Sequence, residues 1–321
     1  MTVLVLTRPV MDAVSDLVIE ELNRRSVPVH RMDPGDFPES IAITARIGPD
    51  QRDWQGIWRG QHRDMNLQSV TAVYYRRPGP FRLHSGLSPG DAEWARAEAR
   101  AGFSGVLSSL RCLWVNHPRH NAAAEVAPVA LATALRCGLP VPATLITNDP
   151  LRAREFAGAL PGRVAAYKPL DAAGPRAAEG EQQSVWTNKV RAEELTDDLA
   201  LTAHLFQQWI DKQYEVRLTA VDGRMFAAEI HAGSEASRID FRRDYASLTY
   251  RVCPVPANIA RGVRELMRAF GLRYAALDFL VDDSDDWYLV DLNPNGQFGF
   301  ISELRQPIAH ALADVLEGAT R

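Results

Sequence analysis

The chain has 321 residues, of which 46% are hydrophobic and 24% are charged, and its formal net charge is -4. This length is enough to bury a large core and to form two or three subdomains. The negative net charge provides no global basic field, so we expect no nucleic-acid partner. No apolar stretch is long enough to span a bilayer, and the segment after Met1 lacks the features of a signal peptide. We therefore expect no membrane partner and a cytoplasmic location.

The first part of the chain predicts an α/β domain. The run TVLVLT is typical of a buried strand, and Val14, Val18 and Leu22 follow it at helical spacing. Short strands are predicted at PVHRM, IAITARI and TAVYYRRP, and an Ala-rich helix is predicted over residues 91–110. We end this domain near Asn116, so it comprises residues 1–116.

Residues 117–207 predict a second α/β unit. It begins with one Ala-rich helix, AAAEVAPVALATALRCG, which ends at Gly138. The strand PATLITN, a helix that begins at Asp149 and Pro150, and the strand VAAYKPL follow. The segment from Asp171 to Gln183 contains Gly, Pro, small and charged residues without an apolar period, so it predicts a mobile loop between two strands.

Residues 208–321 predict a largely antiparallel sheet. The strands of YEVRLTAVDGRMFAAEIH and YAALDFLVDDSDDWYLVDLNP alternate around the turns DG and DDSDD, which are typical of hairpins. A helix over residues 258–270 and a final helix, ISELRQPIAHALADVLEG, complete the unit. The whole chain is predicted to be mixed α/β (α+β).

The last hairpin carries a candidate metal site. Asp291 and Asn293 are two residues apart on one strand and therefore share a face, and the hairpin can bring Asp278 to the same face. Two carboxylates and an amide oxygen suit Mg²⁺, which takes its remaining ligands from water and from substrate phosphates. The implied ligand is a nucleotide triphosphate. The alternative is that these are ordinary polar residues at a strand edge, next to a Pro-Asn-Gly turn.

These motifs, taken in order, resemble the ATP-grasp superfamily. Asp278, Asp291 and Asn293 match its metal-binding residues, and Lys168 resembles the strand lysine that reaches the nucleotide phosphates. The segment 171–183 resembles the phosphate-covering loop. FQQWI resembles the hinge between two lobes that reads adenine, which implies that Gln207, Gln208, Trp209 and Ile210 bind the nucleotide. YEVRL resembles the E/D-x-R strand, which implies nucleotide binding by Glu215 and a phosphate-binding role for Arg217. Each match alone has a simpler reading as a solvated lysine or a pair of surface charges.

A closer resemblance is to the ATP-grasp maturases of ribosomally made peptides, the microviridin-type or graspetide ligases. It rests on VYYRRPGPF, GLPVPATLITNDP, VWTNKV, EVRLTAVDGRMFAAEI, IDFRRDY and VDLNPNGQFGF. The resemblance implies an N-terminal pre-ATP-grasp domain, two lobes that clasp ATP, and Mg²⁺ as the metal. It also implies activation of Asp or Glu side chains in a precursor peptide, with leader and core segments, followed by ester or amide macrocyclisation. We also expect a homodimer.

The resemblance assigns roles to the basic residues, with one departure. Lys168 and Arg217 would stabilise the transferring phosphoryl group, and Arg242 would hold the substrate carboxylate. Ala127 stands where the family usually has a second nucleotide-binding lysine. Arg76 and Arg77 fit either contact with an acidic peptide or a structural role.

Two other classes of function use the same residues. A ligase that acts on a small molecule or a protein tail would share the nucleotide machinery. A non-catalytic nucleotide-binding module is the second alternative, and Ala127 favours it, whereas retention of Asp278, Asp291 and Asn293 argues against it.

Overall fold

The structure is a computed structural model that describes residues 1–8, 12–61, 63–170 and 186–319. The N-terminal elements are β1 (Thr2–Leu6), α1 (Ala13–Arg24), β2 (Val29–Met32), β3 (Ala42–Arg46), β4 (Gln55–Arg59), β5 (Asp64–Asn66), β6 (Val70–Tyr75), α2 (Pro89–Ala99), α3 (Gly105–Ser108) and β7 (Leu113–Val115). The mixed α/β class predicted from the sequence is confirmed.

A parallel sheet forms the centre of the N-terminal part, with strand order β2-β1-β6-β7. Alternate residues of β1 enter different cores, because Val3 and Val5 lie in one hydrophobic cluster and Leu4 and Leu6 lie in another. A strand covered on both faces is buried at every position, which accounts for the unbroken apolar run of β1.

A small antiparallel sheet, β3-β4-β5, covers part of this domain. Strands β4 and β5 were not predicted, since Gly56, Gly60 and several charged residues break their pattern. Trp58 of β4 is 1% exposed and packs edge to face against Phe103, with ring centroids 4.4 Å apart. This contact explains how a weak strand pattern is held in place.

The helix predicted over residues 91–110 begins two residues earlier than expected. Ser88 caps α2, and its hydroxyl accepts a hydrogen bond from the Asp91 amide at 3.2 Å. The helix then passes through a π-helical segment, Arg100–Ser104, into α3.

The central elements are α4 (Pro118–Ala124), α5 (Ala127–Arg136), β8 (Thr144–Thr147), α6 (Pro150–Ala159), β9 (Val164–Lys168), β10 (Asn188–Arg191) and β11 (His204–Gln208). The strands form an antiparallel sheet of order β10-β9-β11-β8. Asp149 caps α6 as predicted, accepting from the Leu151 amide at 2.9 Å. The loop predicted from Asp171 to Gln183 lies outside the described residues.

The prediction of one continuous Ala-rich helix was wrong. The structure has two helices, α4 and α5, which are separated at Glu125 and Val126. Pro128 has no amide N–H for the carbonyl of Ala124, and its ring would clash with that carbonyl in a continuous helix. The end of α5 follows the prediction, since Gly138 adopts a φ of 75° just after it.

The C-terminal elements are β12 (Tyr214–Val221), β13 (Arg224–His231), α7 (Glu235–Ile239), β14 (Thr249–Val252), α8 (Ala257–Phe270), β15 (Tyr274–Val281), β16 (Trp287–Asn293) and α9 (Ser302–Gly318). Their strands form an antiparallel sheet of order β14-β13-β12-β15-β16, as predicted. Helix α8 buries Ile259, Val263 and Leu266 against the face that carries Leu218 and Leu277. Across the described ranges, no helix has the length and apolar character needed to cross a membrane.

The two ends of the chain share one core. Val14, Val18 and Leu22 of α1 pack in the same cluster as Ile308 and Leu312 of α9. Full burial of such a side chain contributes about 1.5–3 kcal/mol, so these contacts join the N-terminal domain firmly to the C-terminal sheet.

Polar contacts reinforce this junction at Asn116, which is 2% exposed. Its Nδ2 donates to the carbonyls of Tyr274 at 2.8 Å and Pro294 at 3.1 Å. Its Oδ1 accepts from the amides of Arg273 at 2.9 Å and Tyr274 at 3.0 Å. The residue at which the sequence suggested a boundary thus bonds the first domain to the strand that carries Asp278.

We predict that Asn116→Ala lowers the free energy of unfolding by at least about 2 kcal/mol, because buried backbone groups lose their partners. Chemical denaturation measures this change. Asn66→Ala is the matched control, since Asn66 is exposed and its side chain makes no helix-capping hydrogen bond. This substitution should change the free energy of unfolding by less than about 0.5 kcal/mol. Equal effects of the two substitutions would contradict the assigned role of Asn116.

Candidate active site

Three adjacent strands, β12, β15 and β16, bring the predicted metal and phosphate residues together. Arg217 pairs directly with Asp278, and Asp278 pairs directly with Asp291. Asn293 pairs with Ala276, two residues before Asp278. Opposed residues of an antiparallel sheet share a face, so all four side chains point to the same side.

A β-bulge at Val290 makes this arrangement possible. Phe279 pairs with Leu289, but Asp278 pairs with Asp291, so Val290 has no paired residue on β15. In a regular strand Asp291 would share a face with Leu289, which is 1% exposed and packs in the core. The bulge therefore turns Asp291 away from the core and towards Asp278.

Asp278 lies in an environment that leaves its negative charge poorly compensated. Its side chain is 13% exposed, and its Oδ1 lies 3.1 Å from Nε of Arg217, but the two atoms are not aligned as a hydrogen bond. Burial raises the pKa of Asp278 to about 6, and the Arg217 charge opposes this only in part. A cation placed here would remove the cost of this buried charge.

Arg217 is held between the acidic strand and aromatic rings. Its guanidinium carbon lies 5.3 Å from the centroid of Phe300 and 6.0 Å from that of Phe241. Cation–π contacts of this kind fix the position of the guanidinium without using its N–H groups. The group is thus oriented and keeps donors for an anionic ligand.

Lys168, at the end of β9, reaches the bulge from the other sheet. Its Nζ donates to the Val290 carbonyl at 3.4 Å. Burial lowers the pKa of Lys168, and the carboxylates of Asp291 and Glu215 oppose this effect. The bulge thus affects both the metal residues and the phosphate residue, because it orients Asp291 and its carbonyl accepts a hydrogen bond from Lys168.

A cleft of about 970 Å³ lies between the central and C-terminal sheets. The predicted residues that line it are Lys168, Gln207, Gln208, Trp209, Ile210, Glu215, Arg242, Asp278, Asp291 and Asn293. Arg217 does not line the cleft, but it contacts Asp278, which does. Residues from positions 168 to 293 therefore converge on one cavity large enough for a nucleotide.

The predicted hinge residues occupy the end of β11 and the segment after it. Gln207 is 2% exposed, and its Nε2 donates to the Thr144 hydroxyl at 3.0 Å. The indole of Trp209 donates to Asp211 at 2.9 Å. Lys189 lies over the Trp209 ring at 4.9 Å. The side chains of Gln207 and Trp209 are thus anchored to the protein, and both residues line the cleft.

Two charged residues in the cleft were missed by the sequence analysis. Lys212 donates to Glu215 at 2.7 Å, so Glu215 is neutralised by a neighbour three residues away. Asp240, 5% exposed, accepts from Nε of Arg242 at 2.8 Å and from its Nη2 at 2.6 Å. Burial would raise the pKa of Asp240, but Arg242 outweighs it and the pKa lies below its usual value. The D-x-R spacing of Asp240 and Arg242 was the available signal.

The turn after β16 is built to bring Asn293 into position. The Oδ1 of Asn293 accepts from the Asn295 amide at 2.9 Å, which leaves a second lone pair on that oxygen. Gly296 packs against Ala276 so closely that a Cβ would clash. Arg76, from the N-terminal domain, donates to the carbonyls of Asn295 at 3.2 Å and Gly296 at 3.3 Å.

The donor set fits Mg²⁺. Asp278 Oδ1 is buried without a hydrogen-bond partner, and Asp291 and Asn293 present oxygen atoms on the same face. The described residues contain no group of three or more His, Cys, Asp or Glu side chains that could hold a metal by themselves. Such a site depends on further oxygen ligands from the substrate, as Mg²⁺ sites for nucleotides do.

Ala127 borders a small recess of about 90 Å³ that Lys168 also lines. Apolar side chains such as Ala130 and Leu131 form much of its wall. The structure thus places Lys168 next to the position where the family usually has a second lysine, and among the described residues that line this recess Lys168 is the one cation.

Comparison with known proteins places the fold among characterised structures. A family model described as the MvdD pre-ATP grasp domain matches residues 2–122. The macrocyclase MdnC of Microcystis aeruginosa MRC, solved with the precursor peptide MdnA, is 26% identical with a TM-score of 0.86, over 99% of this chain and 100% of that chain. No curated protein sequence matches.

Two further solved structures, each 24% identical, share the fold. A RiPP-associated ATP-grasp ligase of Chryseobacterium gregarium, in complex with ADP and a leader and core peptide, has a TM-score of 0.89 over 99% of this chain and 96% of that chain. The ATP-grasp ligase PsnB, complexed with a minimal precursor variant, Mg and ADP, has a TM-score of 0.76 over 100% of this chain and 98% of that chain. The protein therefore has an ATP-grasp fold with an N-terminal pre-ATP-grasp domain, and the predicted resemblance to the ATP-grasp peptide maturases is confirmed.

We predict that Asp291→Ala abolishes turnover and leaves the fold intact, because the side chain lies at the cleft rather than in the core. Activity and the thermal midpoint of unfolding are the measurements. Asp283→Ala, an exposed carboxylate in the turn of the same hairpin, is the control and should keep activity. Activity near the wild-type level in Asp291→Ala would exclude the metal assignment.

Proposed function

We propose that this protein is an ADP-forming ligase that activates Asp or Glu side chains of a ribosomal precursor peptide and forms intramolecular esters or amides. The observation that carries the proposal is the convergence of Lys168, Asp278, Asp291 and Asn293 at one cleft, with Arg217 directly behind Asp278. The near full-length similarity to a macrocyclase solved with a precursor peptide supports this substrate class.

ATP is the proposed cosubstrate, with its base at Gln207, Gln208, Trp209 and Ile210. Its phosphates lie towards Lys168, with Glu215 at the side of the cleft next to Lys212. Solved structures of similar proteins contain ADP, and in one case Mg, which supports a nucleotide and Mg²⁺ as the ligands. Asp278, Asp291 and Asn293 would hold Mg²⁺, which supplies charge neutralisation for the phosphates.

The substrate carboxylate and the γ-phosphate of ATP are both anions, and the basic side chains reduce the repulsion between them. A substrate carboxylate oxygen attacks the γ-phosphorus of ATP, and the bond to the β-phosphate oxygen breaks with release of ADP. Arg217 is placed to stabilise the transferring group and then the acyl phosphate, because its planar fork suits phosphate oxygens. A hydroxyl or amine of the same peptide then attacks the acyl carbon, loses its proton and expels phosphate.

Arg242 is the proposed binding group for the substrate carboxylate. Asp240 holds two of its nitrogens, and its guanidinium lies 5.5 Å from the centroid of Trp186. This arrangement fixes the plane of the guanidinium while its side chain stays 45% exposed. Asp240 therefore acts as a positioning residue, and the remaining nitrogen of Arg242 faces the ligand.

Several finer points remain proposals from the sequence. We propose the domain division 1–116, 117–207 and 208–321, a cytoplasmic location and a homodimer. Light scattering of the purified protein measures the oligomeric state. A ligase for small molecules or protein tails remains the alternative function, since it would use the same nucleotide residues.

We predict that Lys168→Ala weakens nucleotide binding severely, because Ala127 leaves the recess without a second cation. Removal of a charge-assisted hydrogen bond should lower affinity at least about tenfold. Ala127→Lys should tighten binding and partly restore the Lys168→Ala variant, whereas Ala127→Met, of similar length but uncharged, should not. Calorimetric titration with Mg-ADP measures the affinity of the wild type and of each single and double variant. An unchanged affinity in Lys168→Ala would assign the phosphates to another residue.

We predict that activity requires a peptide with a leader segment. Chemically similar hydroxyls and carboxylates in a short core differ by only about 1–3 kcal/mol in local binding. A docked leader raises the effective concentration of the core to the millimolar range. A neighbouring open reading frame that encodes a short precursor, with repeated Thr or Ser and Asp or Glu in its C-terminal half, would supply the substrate for this test.

Mass spectrometry compares water loss from the full precursor, the core alone, and the core with leader added in trans. We expect water loss from the full precursor and from the core with added leader, and little water loss from the core alone. Equal dehydration of the core alone, or efficient ligation of single amino acids, would replace this proposal with the small-molecule ligase.

A further inference from the structure

A second pocket, of about 580 Å³, lies beside the nucleotide cleft and shares Ala122 and Glu125 with it. Arg8, Arg76 and Arg77 come to it from the N-terminal domain, and Asn121 and Asn295 come from the two later parts of the chain. We call it the arginine pocket. Arg76 positions the turn after β16, and the sequence left open whether Arg76 and Arg77 contact an acidic peptide or have a structural role.

The arginine pocket has more positive charge than its surroundings neutralise. Arg76 is 1% exposed and pairs with Asp12 at 3.2 Å, so its charge is compensated. Arg8 and Arg77 are exposed, and neither forms an ion pair within the described part of the chain. Burial lowers the pKa of Arg77, and the charge of Arg76 lowers it further. Two guanidiniums are therefore available to an anion.

Side-chain atoms of two asparagines in the pocket also lack partners among the described residues. Asn121 is 3% exposed, and neither its Oδ1 nor its Nδ2 has a hydrogen bond within that part of the chain. Oδ1 of Asn295 is buried and equally without a described partner, whereas its Nδ2 donates to Glu125 and its carbonyl accepts from Arg77. Buried polar atoms without partners carry a desolvation cost, which is characteristic of a ligand-binding surface rather than of a packed core.

These groups define the chemistry of the ligand. The two guanidiniums and Asn121 Nδ2 require acceptors, whereas the side-chain oxygens of Asn121 and Asn295 require donors. An inorganic anion provides acceptors, and phosphate adds O–H donors, but neither carries the N–H donors of a peptide backbone. A peptide with an acidic side chain provides both, because its carboxylate accepts and its backbone amides donate.

Glu125 limits where the anion can lie. It is the carboxylate between the arginine pocket and the nucleotide cleft, and its Oε1 accepts from Asn295 Nδ2 at 3.4 Å. Burial raises the pKa of Glu125. Its charge would repel a ligand carboxylate from this border, so the anion lies on the Arg8 and Arg77 side.

We propose that the arginine pocket binds a second acidic side chain of the substrate peptide, with its flanking backbone amides, while another carboxylate reacts in the main cleft. This inference rests on the proposed peptide substrate and names a determinant of its recognition. The shared wall at Ala122 and Glu125 makes the two sites neighbours, so one extended peptide can occupy both.

A binding experiment tests the pocket without turnover. The probes are N-acetyl-glutamate N-methylamide, its glutamine counterpart and inorganic phosphate, each titrated by NMR into the Mg-ADP-loaded protein. The variants are Arg8→Gln/Arg77→Gln and Asn121→Leu, with Arg46→Gln as the control, since Arg46 is exposed on the separate β3-β4-β5 sheet.

We expect saturable binding of the glutamate probe that weakens at least about tenfold in the double variant and is unchanged in Arg46→Gln. Asn121→Leu should weaken binding too, and it should keep or raise the thermal midpoint because it removes an unsatisfied amide. Unchanged binding in the double variant, or no saturable binding to the wild type, overturns the inference. Phosphate that binds as well as the glutamate probe would reduce the pocket to a general anion site and also overturn it.

A turnover experiment separates this inference from the proposed function. With the precursor as substrate, the double variant should raise KM for the peptide at least about tenfold and leave kcat and KM for ATP unchanged. If the double variant catalyses water loss with an unchanged KM for the peptide, this inference is overturned and the proposed function stands. Absence of water loss with the wild-type protein would contradict the proposed function, and the glutamate probe would still decide whether the pocket binds a peptide carboxylate.

Discussion

The candidate active site depends on one irregularity in strand pairing, the bulge at Val290. Side chains alternate along a strand, so Leu289 and Asp291 would otherwise face the same hydrophobic core. The extra residue reverses the alternation after Leu289, and Asp291 then lies opposite Asp278. The same residue offers its carbonyl to Lys168. A single backbone feature therefore couples the candidate metal site to the candidate phosphate site.

The charges of the cleft are arranged for a ligand rather than for stability. Asp278 has a raised pKa and an oxygen without a hydrogen bond, while burial lowers the pKa of Lys168. Both shifts have the sign expected for charged groups that have lost water without full compensation. Mg²⁺ and nucleotide phosphates would supply the missing partners, so binding should relieve a cost that the folded protein carries by itself.

The N-terminal domain contributes directly to the geometry of this site. Arg76, buried against Asp12, holds the carbonyls of Asn295 and Gly296, and Asn116 holds the carbonyl of Pro294. These bonds fix the turn that follows Asn293. The core shared by α1 and α9 makes the junction rigid. The pre-ATP-grasp domain is thus part of the catalytic structure as well as a wall of the arginine pocket.

Local patterns in the sequence determined much of the protein. The spacing of Asp291 and Asn293, the cap at Asp149 and the glycine at 138 depend on neighbours along the chain, so the sequence predicted them correctly. Residues 287, 289 and 292 are apolar and buried, and the step of three between the last two departs from the two-residue alternation of a regular strand. This departure is a sequence signal of the bulge. Tertiary structure alone decided that Trp58 stabilises β4 and that Asn121 and Arg77 meet in one pocket. Such contacts join distant segments or depend on side-chain direction, and no local period encodes which of them will form.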